Sequence, residues 1–457
     1  MLIRKAYKFR LEPTAEQAAR LTVLCGHARF VWNHGLRFCL DKLESGEKIP
    51  SAFELNKLLT QWKKQDGILW LKEAYTDNLQ QKLKDLQSAW MRCFDKSLAA
   101  EKPRFKKKGK NQDSIRFVNF NKYCELDGKR VKLPSKLGWL KFRKSREVKG
   151  TIKNCTVSFK SGHWYISFQV EQEIGEPKHK SSSAIGIDVG IAKFIALSDG
   201  SHLKPLNAFR KHEKRLAVEQ RKLSRKVKFS ANWQKQKAKI QKLHTLIANC
   251  RKDYLHKASS LISKNHAMIA IEDLRVSNMS KSAKGNIEEH GKNVKAKSGL
   301  NKSILDQGWY EFRRQLEYKQ LWRGGLVVAV PAQYTSQTCP CCGHVSKDNR
   351  KTQAHFKCVE CGYTNNADVV GALNILERGH RLLACGESLI STASKASNWR
   401  TSSSIVVACS ILRVKSVFIE RAFYSLDKSQ KKVELSPDFF LSYSPSQKNA
   451  TININLS

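Results

Sequence analysis

Seven side chains in this 457-residue sequence have the types and spacing to hold metal ions. Cys339 and Cys342 form one Cys-x2-Cys pair and Cys358 and Cys361 another, with 15 residues between the pairs. That is the spacing of a tetrahedral four-thiolate zinc site, and each pair is followed by a glycine, Gly343 or Gly362, that suits a tight knuckle turn. Four thiolates leave zinc no open position, so the expected role is structural. Cys341 is a fifth cysteine in the same stretch, but neither of its spacings matches a knuckle, and it reads as a bystander thiol. The remaining eight cysteines are scattered singly and read as free thiols of a reducing compartment.

The other three residues are carboxylates. Asp188 lies in IGIDVG, where apolar neighbours place it on a buried strand, a costly position unless it meets a metal or another cation. Glu272 ends a second apolar strand in AIEDL, with Asp273 as its competitor. Alternation puts Ile269 and Ile271 on one face and Glu272 on the other, without deciding between the two acids. Asp368 opens the helix ADVVGALNI. Singly, each is a common capping residue. As a set, an Asp on a hairpin, a Glu ending a distant strand and an Asp on a later helix follow the order of an RNase H-like nuclease. There, three carboxylates hold two Mg²⁺ or Mn²⁺ ions about 4 Å apart, one activating water and the other stabilising the leaving oxygen of a phosphodiester. Hard cations call for oxygen ligands, which accounts for carboxylates rather than His or Cys.

These residues need elements to carry them. Residues 1–12 alternate as a strand, and Thr14 with Gln17 forms a capping box that starts a helical module with periodicity to about residue 98. Val157 and Phe159, then Trp164, Ile166, Phe168 and Val170, alternate on either side of Ser161-Gly162, the signature of a hairpin. The strand at 1–12 is expected to pair with that later sheet. From 181 a new domain begins, with apolar strands at 184–189 and 193–198, a long helical stretch from 204 to 257, and buried strands at 268–274 and 326–330. Residues 278–302 read as a Gly/Lys-rich loop, and SILDQGWYEFRRQLEYKQLW as one helix with Trp309, Phe312 and Leu316 on a stripe.

Charge narrows the partners. Eighty-three Lys and Arg against 40 Asp and Glu give +43, a surface that repels itself unless it meets a polyanion. No run of 18 apolar residues occurs and the first residues lack a signal-peptide core, so nucleic acid in the cytoplasm is expected rather than a membrane. The run KPRFKKKGKNQDSIRF (102–117) mixes cations with Phe105 and Phe117, so Arg104, Lys106, Lys107, Lys108 and Lys110 are candidate phosphate contacts. Residues 210–257 hold 16 Lys/Arg and three acids, and Arg225 and Lys226 join the candidates.

GIDVG, IEDL, TSQTCPCCG…CVECG and NADVVGALNI, in that order, resemble the RuvC-like core of TnpB, the OrfB-type transposon-encoded RNA-guided DNA endonucleases related to type V CRISPR effectors. The resemblance extends to RKAYKFRLEPTAEQ, PRFKKKGK and LNKSILDQGWYEFRRQLEYK, and covers about residues 1–387. It implies an α/β, RNase H-like nuclease domain over 181–330 and 363–387 with a zinc ribbon inserted at 331–362. It also implies a wedge-type β-barrel from 1–12 and 115–180, and a helical recognition lobe at 13–114. Asp188, Glu272 and Asp368 fall on the family's three catalytic motifs, which selects Glu272 over Asp273. The implied partners are a guide RNA from the transposon end and double-stranded DNA bearing a short flanking motif, with one protein chain in the ribonucleoprotein. Two rival readings are a catalytically silent RNA-guided or zinc-ribbon DNA-binding repressor and an accessory transposase protein. All three carboxylates are present, against the first, and no His-x-His pair occurs, against a DNA-joining role. Residues 388–457 are Ser-rich and carry no motif that assigns them a role.

Overall fold

The computed structural model describes residues 1–109, 111–286 and 288–384. Lys110 and the tail from 388 lie outside the described residues. The chain divides into two compact units between Ile174 and Gly175.

In the first unit, β1 (Leu2–Glu12) leads into α1 (Ala15–Glu44) through Thr14, whose hydroxyl accepts from Gln17 N while the Gln17 side chain accepts from Thr14 N. α2 (Ala52–Trp62) and α3 (Thr76–Phe94) complete the helical part. β2 (Asp113–Phe117), the short α4 (Phe120–Tyr123), β3 (Glu125–Asp127), β4 (Arg130–Leu133), β5 (Gly138–Arg143), β6 (Thr151–Lys160) and β7 (His163–Glu173) follow. The strands form one antiparallel sheet in the order β2-β6-β7-β1-β5-β4-β3. β1 runs along β7 from Leu2↔Glu173 to Leu11↔Trp164, the pairing expected of the N-terminal strand. The β6–β7 turn has positive φ at both Ser161 and Gly162, which matches the right-handed twist of the flanking strands. α1 serves two cores: Leu21, Leu24 and Ala28 pack with the sheet residues, while Val31, Leu36 and Cys39 pack with α2 and α3.

The second unit is an α/β layer structure. β8 (Ala184–Val189), β9 (Ile195–Leu197) and β10 (His202–Leu203) form an antiparallel run, and β8 lies parallel to β11 (Met268–Glu272), which lies parallel to β12 (Leu326–Val330). Between the strands come α5 (Ala208–Ser224), α6 (Ala231–Asn265), the single-turn α7 (Val276–Met279), α8 (Val294–Gln307) and α9 (Trp309–Arg323). β13 (His355–Lys357), β14 (Thr364–Asn366) and α10 (Ala367–Ala384) close the described chain. Strand alternation divides the sheet's two faces. Ile185, Ile187, Ile269 and Ile271 meet α6 and α9 on one side, while Met268, Ala270, Val328 and Val330 meet α10 on the other. α10 lies so close that a Cβ on Gly186 would come within 2.0 Å of Ala372 O, and one on Gly379 within 2.7 Å of Ala270 Cβ.

Two sequence expectations are corrected here. The single helix expected from Ser303 breaks at Gly308, whose φ of 75° ends α8 and starts α9. The expected loop at 278–302 contains the first half of α8 instead. That helix has little apolar periodicity, and its order comes from docking. The buried Asp306 accepts from Phe209 N at 3.0 and 2.9 Å and from Arg251 at 2.7 Å, so it caps α5 from outside and ties it to α6. Among the described residues no helix is long and apolar enough to cross a membrane.

Candidate active site and metal-binding cluster

Asp188 and Glu272 sit at the C-terminal ends of adjacent parallel strands, and alternation aims both at the face covered by α10. Glu272 thus lies opposite Ile269 and Ile271, as its place in the strand implies. Asp188 lies against Gly371 of α10, where a Cβ would stand 3.1 Å from Asp188 Oδ2. Asp368 is in the first turn of the same helix, one turn before Gly371. The fold therefore brings carboxylates 180 positions apart, from 188 to 368, to one edge of one sheet.

Their surroundings differ. Glu272 is 9% exposed and its Oε1 accepts from the buried Thr335 hydroxyl at 2.7 Å. Asp273 turns away to an ion pair with Arg313 at 2.5 Å, its side chain 47% exposed. Both oxygens of Asp368 face cations, Oδ2 at 3.1 Å from Lys193 Nζ and Oδ1 at 3.5 Å from Arg350. Lys193 also donates to Asn366 Oδ1 at 3.1 Å, and that same oxygen accepts from Asp368 N. Burial first, then the charges of Glu272 and Asp368, push Asp188 up to about 7, against the opposing pull of Arg350 and Lys193. Burial raises Glu272 as well, opposed by the Thr335 hydrogen bond and by Arg378. Buried carboxylates that repel one another, with oxygen as the donor, fit divalent cations such as Mg²⁺. Among the described residues, however, the three are not drawn into a tight single-ion cage of the kind the cysteines form.

The sulfurs of Cys339, Cys342, Cys358 and Cys361 all lie within 4.8 Å of one another. Cys341 is exposed and outside the group. The two knuckles are built alike. Gly343 N donates to Cys339 O at 3.0 Å and Gly362 N to Cys358 O at 3.1 Å, with φ of 78° and 72° that favour glycine. Four convergent thiols are the donor set of a tetrahedral metal site, and zinc fits them. Phe356 from β13 packs with Cys339, Cys358 and with Ala367 and Val370 of α10, so the cluster's small core includes the turn that carries Asp368. Asn374 of α10 donates to Thr335 O and Thr338 O, both at 2.7 Å, which joins α10 to the threonine that holds Glu272.

Lys193, Thr335, Arg350 and Gly371 were not singled out by sequence reasoning. Thr335 and Gly371 lie within the quoted motifs and Lys193 just after GIDVG, which was the available signal; Arg350 lies between motifs and had none. Of the candidate phosphate contacts, Lys107, Lys108 and Arg225 are exposed. Arg104 is exposed but paired with Glu101. Lys106 is half-buried, its ammonium 3.3 Å from the centre of the Trp32 ring, and burial pulls it down to about 8. Its first duty is inside the helical part of the first unit.

Three family profiles match the chain. Residues 1–48 match a helix-turn-helix domain, here β1 and α1; residues 167–283 match OrfB_IS605, "Probable transposase"; residues 309–375 match the Cas12f1-like TNB domain. A protein of Escherichia coli (strain K12) named "Putative RNA-guided DNA endonuclease InsQ" is 53% identical over 383 residues, 84% of this chain and 94% of that one. The chain belongs to the TnpB family. It is also 31% identical to the "Putative RNA-guided DNA endonuclease" of Streptomyces pristinaespiralis, over 85% of this chain and 92% of the other. The Cas12f1 endodeoxyribonuclease of Sulfoacidibacillus thermotolerans is 28% identical over 46% of the chain and 49% of its own. A solved Cas12f1–sgRNA–target DNA complex aligns with a TM-score of 0.47 at 15% identity, covering 82% of this chain and 98% of that one.

Proposed function

We propose that this TnpB-family chain is an RNA-guided DNA endonuclease that hydrolyses phosphodiesters in a RuvC-like site. The observation that carries the reading is the approach of Asp188 and Glu272, on the sheet face covered by α10, to Asp368 in the first turn of that helix, with Asp188 and Glu272 raised by burial. These three residues would hold Mg²⁺ or Mn²⁺. Ions held there would supply a nucleophilic water at neutral pH and charge stabilisation for the leaving oxygen. The protein's own groups set the stage. Thr335 fixes the rotamer of Glu272, Gly371 leaves room for Asp188, and Lys193 with Asn366 holds Asp368 at the start of its helix. Cys339, Cys342, Cys358 and Cys361 would hold structural zinc and fix where α10 begins.

Residues 181–330 with 363–387 are the nuclease domain in this reading, and 331–362 the zinc ribbon, placed to meet target DNA. Residues 1–12 and 115–180 are the wedge, and 13–114 the recognition lobe. A guide RNA supplies sequence specificity by pairing, and the +43 chain holds backbones and reads a short flanking motif in the cytoplasm as a single-chain ribonucleoprotein. The test is to co-express the chain with its flanking transposon DNA, sequence the RNA that co-purifies, and assay a plasmid carrying the matching target. Defined RNA and Mg²⁺-dependent cutting are expected. A preparation that holds no defined RNA, or cuts plasmids without regard to sequence, contradicts the guided reading.

A further inference from the structure

The turn joining α5 to α6 carries a feature that the nuclease site does not use. From Arg221 to Lys239 the sequence has eight Lys/Arg and no Asp or Glu. Among these cations Val227 is 80% exposed and Phe229 68% exposed. Folding this unit gains nothing by leaving such side chains in water. Nor is the turn loosely held. Ser230 N donates to Val227 O at 3.2 Å, Gln234 Nε2 to Phe229 O at 3.1 Å, and Trp233 N to Ser230 Oγ at 3.2 Å. Phe229 has φ of 70°, a left-handed conformation that bulky residues avoid, and this backbone leaves its ring outside. Trp233 stands beside it, ring centres 5.5 Å apart, with Lys228 5.4 Å from the Phe229 ring and Lys237 5.1 Å from the Trp233 ring.

Phosphate contact alone would need the lysines and arginines but not the rings. A protein groove could take Val227 and Phe229, yet it would have to offset a run of eight cations that contains no acid and of which Lys222 is paired with Glu219 at 3.2 Å. A nucleic-acid strand answers both features, because an unpaired base offers a flat apolar face between two phosphates. A base inside a duplex does not, since its faces are already stacked.

We infer that the α5–α6 turn is a binding site for an unpaired nucleobase. Phe229, backed by Trp233, stacks on the base, and Arg225, Lys226 and Lys228 contact the flanking phosphates. The inference rests on the nucleic-acid reading above and deepens it by naming where a single strand is gripped. The test uses the full chain with the RNA recovered from co-expression and, in a second arm, single-stranded DNA of the same sequence, each titrated across a salt series. Phe229→Ala should weaken binding by about 5- to 150-fold, the worth of one base–aromatic stack, with the salt slope unchanged. Phe229→Trp should restore it. Lys228→Gln should instead lower the slope by roughly 0.7, the signature of one lost phosphate contact on a single strand. Photocrosslinking with 5-iodouracil in either strand should land on Phe229 or Trp233, and the reactive arm identifies the strand. Tight wild-type binding that Phe229→Ala leaves intact overturns this site alone and gives the turn to a protein partner. A wild-type chain that binds neither strand overturns the nucleic-acid reading and the site with it.

Discussion

The second unit holds two sets of candidate metal-ligating side chains that differ in how they are assembled. Four cysteines gather within 23 positions of chain, and local knuckle turns do most of the gathering. The three carboxylates come from β8, β11 and α10, and only the packing of α10 across the sheet brings them together. The first set is closed and soft, suited to holding structure; the second is made of oxygen, with its members differently engaged, suited to chemistry. They are not independent. Phe356 of the cysteine cluster packs on the turn that carries Asp368, and Arg350, from the same segment, reaches that carboxylate. A locally built cluster thus touches the helix turn that carries Asp368, in a set of carboxylates that local sequence cannot assemble.

The largest way to separate the two sets is to change a carboxylate. Asp368→Asn or Glu272→Gln should lower cleavage on the order of 10³-fold, about 4 kcal/mol of transition-state stabilisation, with zinc content and RNA recovery unchanged. Mass spectrometry for zinc alongside a cleavage time course checks both halves. Next, Cys358→Ser should lose zinc and also lower cleavage about 10- to 100-fold, the scale for groups that support a metal site without being its ligands. A zinc-free variant that cuts at the wild-type rate would show that the clamp does not position Asp368. Gly371→Ala is smaller and sharper. Its Cβ would press on Asp188 Oδ2 at 3.1 Å, so about a tenfold loss of cleavage is expected with the zinc retained. The thermal midpoint should barely move, which a melt would register. Smallest is Cys341→Ser, where zinc, stability and cleavage should all stay at wild-type values; lost zinc would mean the ligand set is wrong.

The same contrast explains what the sequence made legible. The zinc spacing, the Thr14 capping box and the Ser161-Gly162 hairpin are local devices, and the structure carries each as read. Glu272 could be placed opposite Ile269 and Ile271 by alternation, but what separates it from Asp273 is Thr335 and Arg313, from segments more than 35 positions away. Lys193 lies beside the Asp188 motif, but its pairing with Asp368, like that of Arg350, depends on the meeting of β8, α10 and the cysteine cluster, and nothing near Arg350 announced a role. The part of α8 before Ser303 was read as loop because the helix is held by Asp306 docking on α5 and Arg251 rather than by a stripe of its own. Lys106 carried the charge of a phosphate contact, and only the fold shows Trp32 beneath it.

In the proposed function, Asp188 beneath α10 anchors a divalent-cation nuclease site held apart in chemistry from the cysteine cluster. The most direct test is Mg²⁺-dependent cleavage of the matched plasmid by an Asp188→Asn ribonucleoprotein, side by side with Mn²⁺ binding measured by calorimetry. No cutting and weakened Mn²⁺ binding are expected, in a particle that keeps its RNA and its zinc. Wild-type cutting by that particle would contradict this role for Asp188.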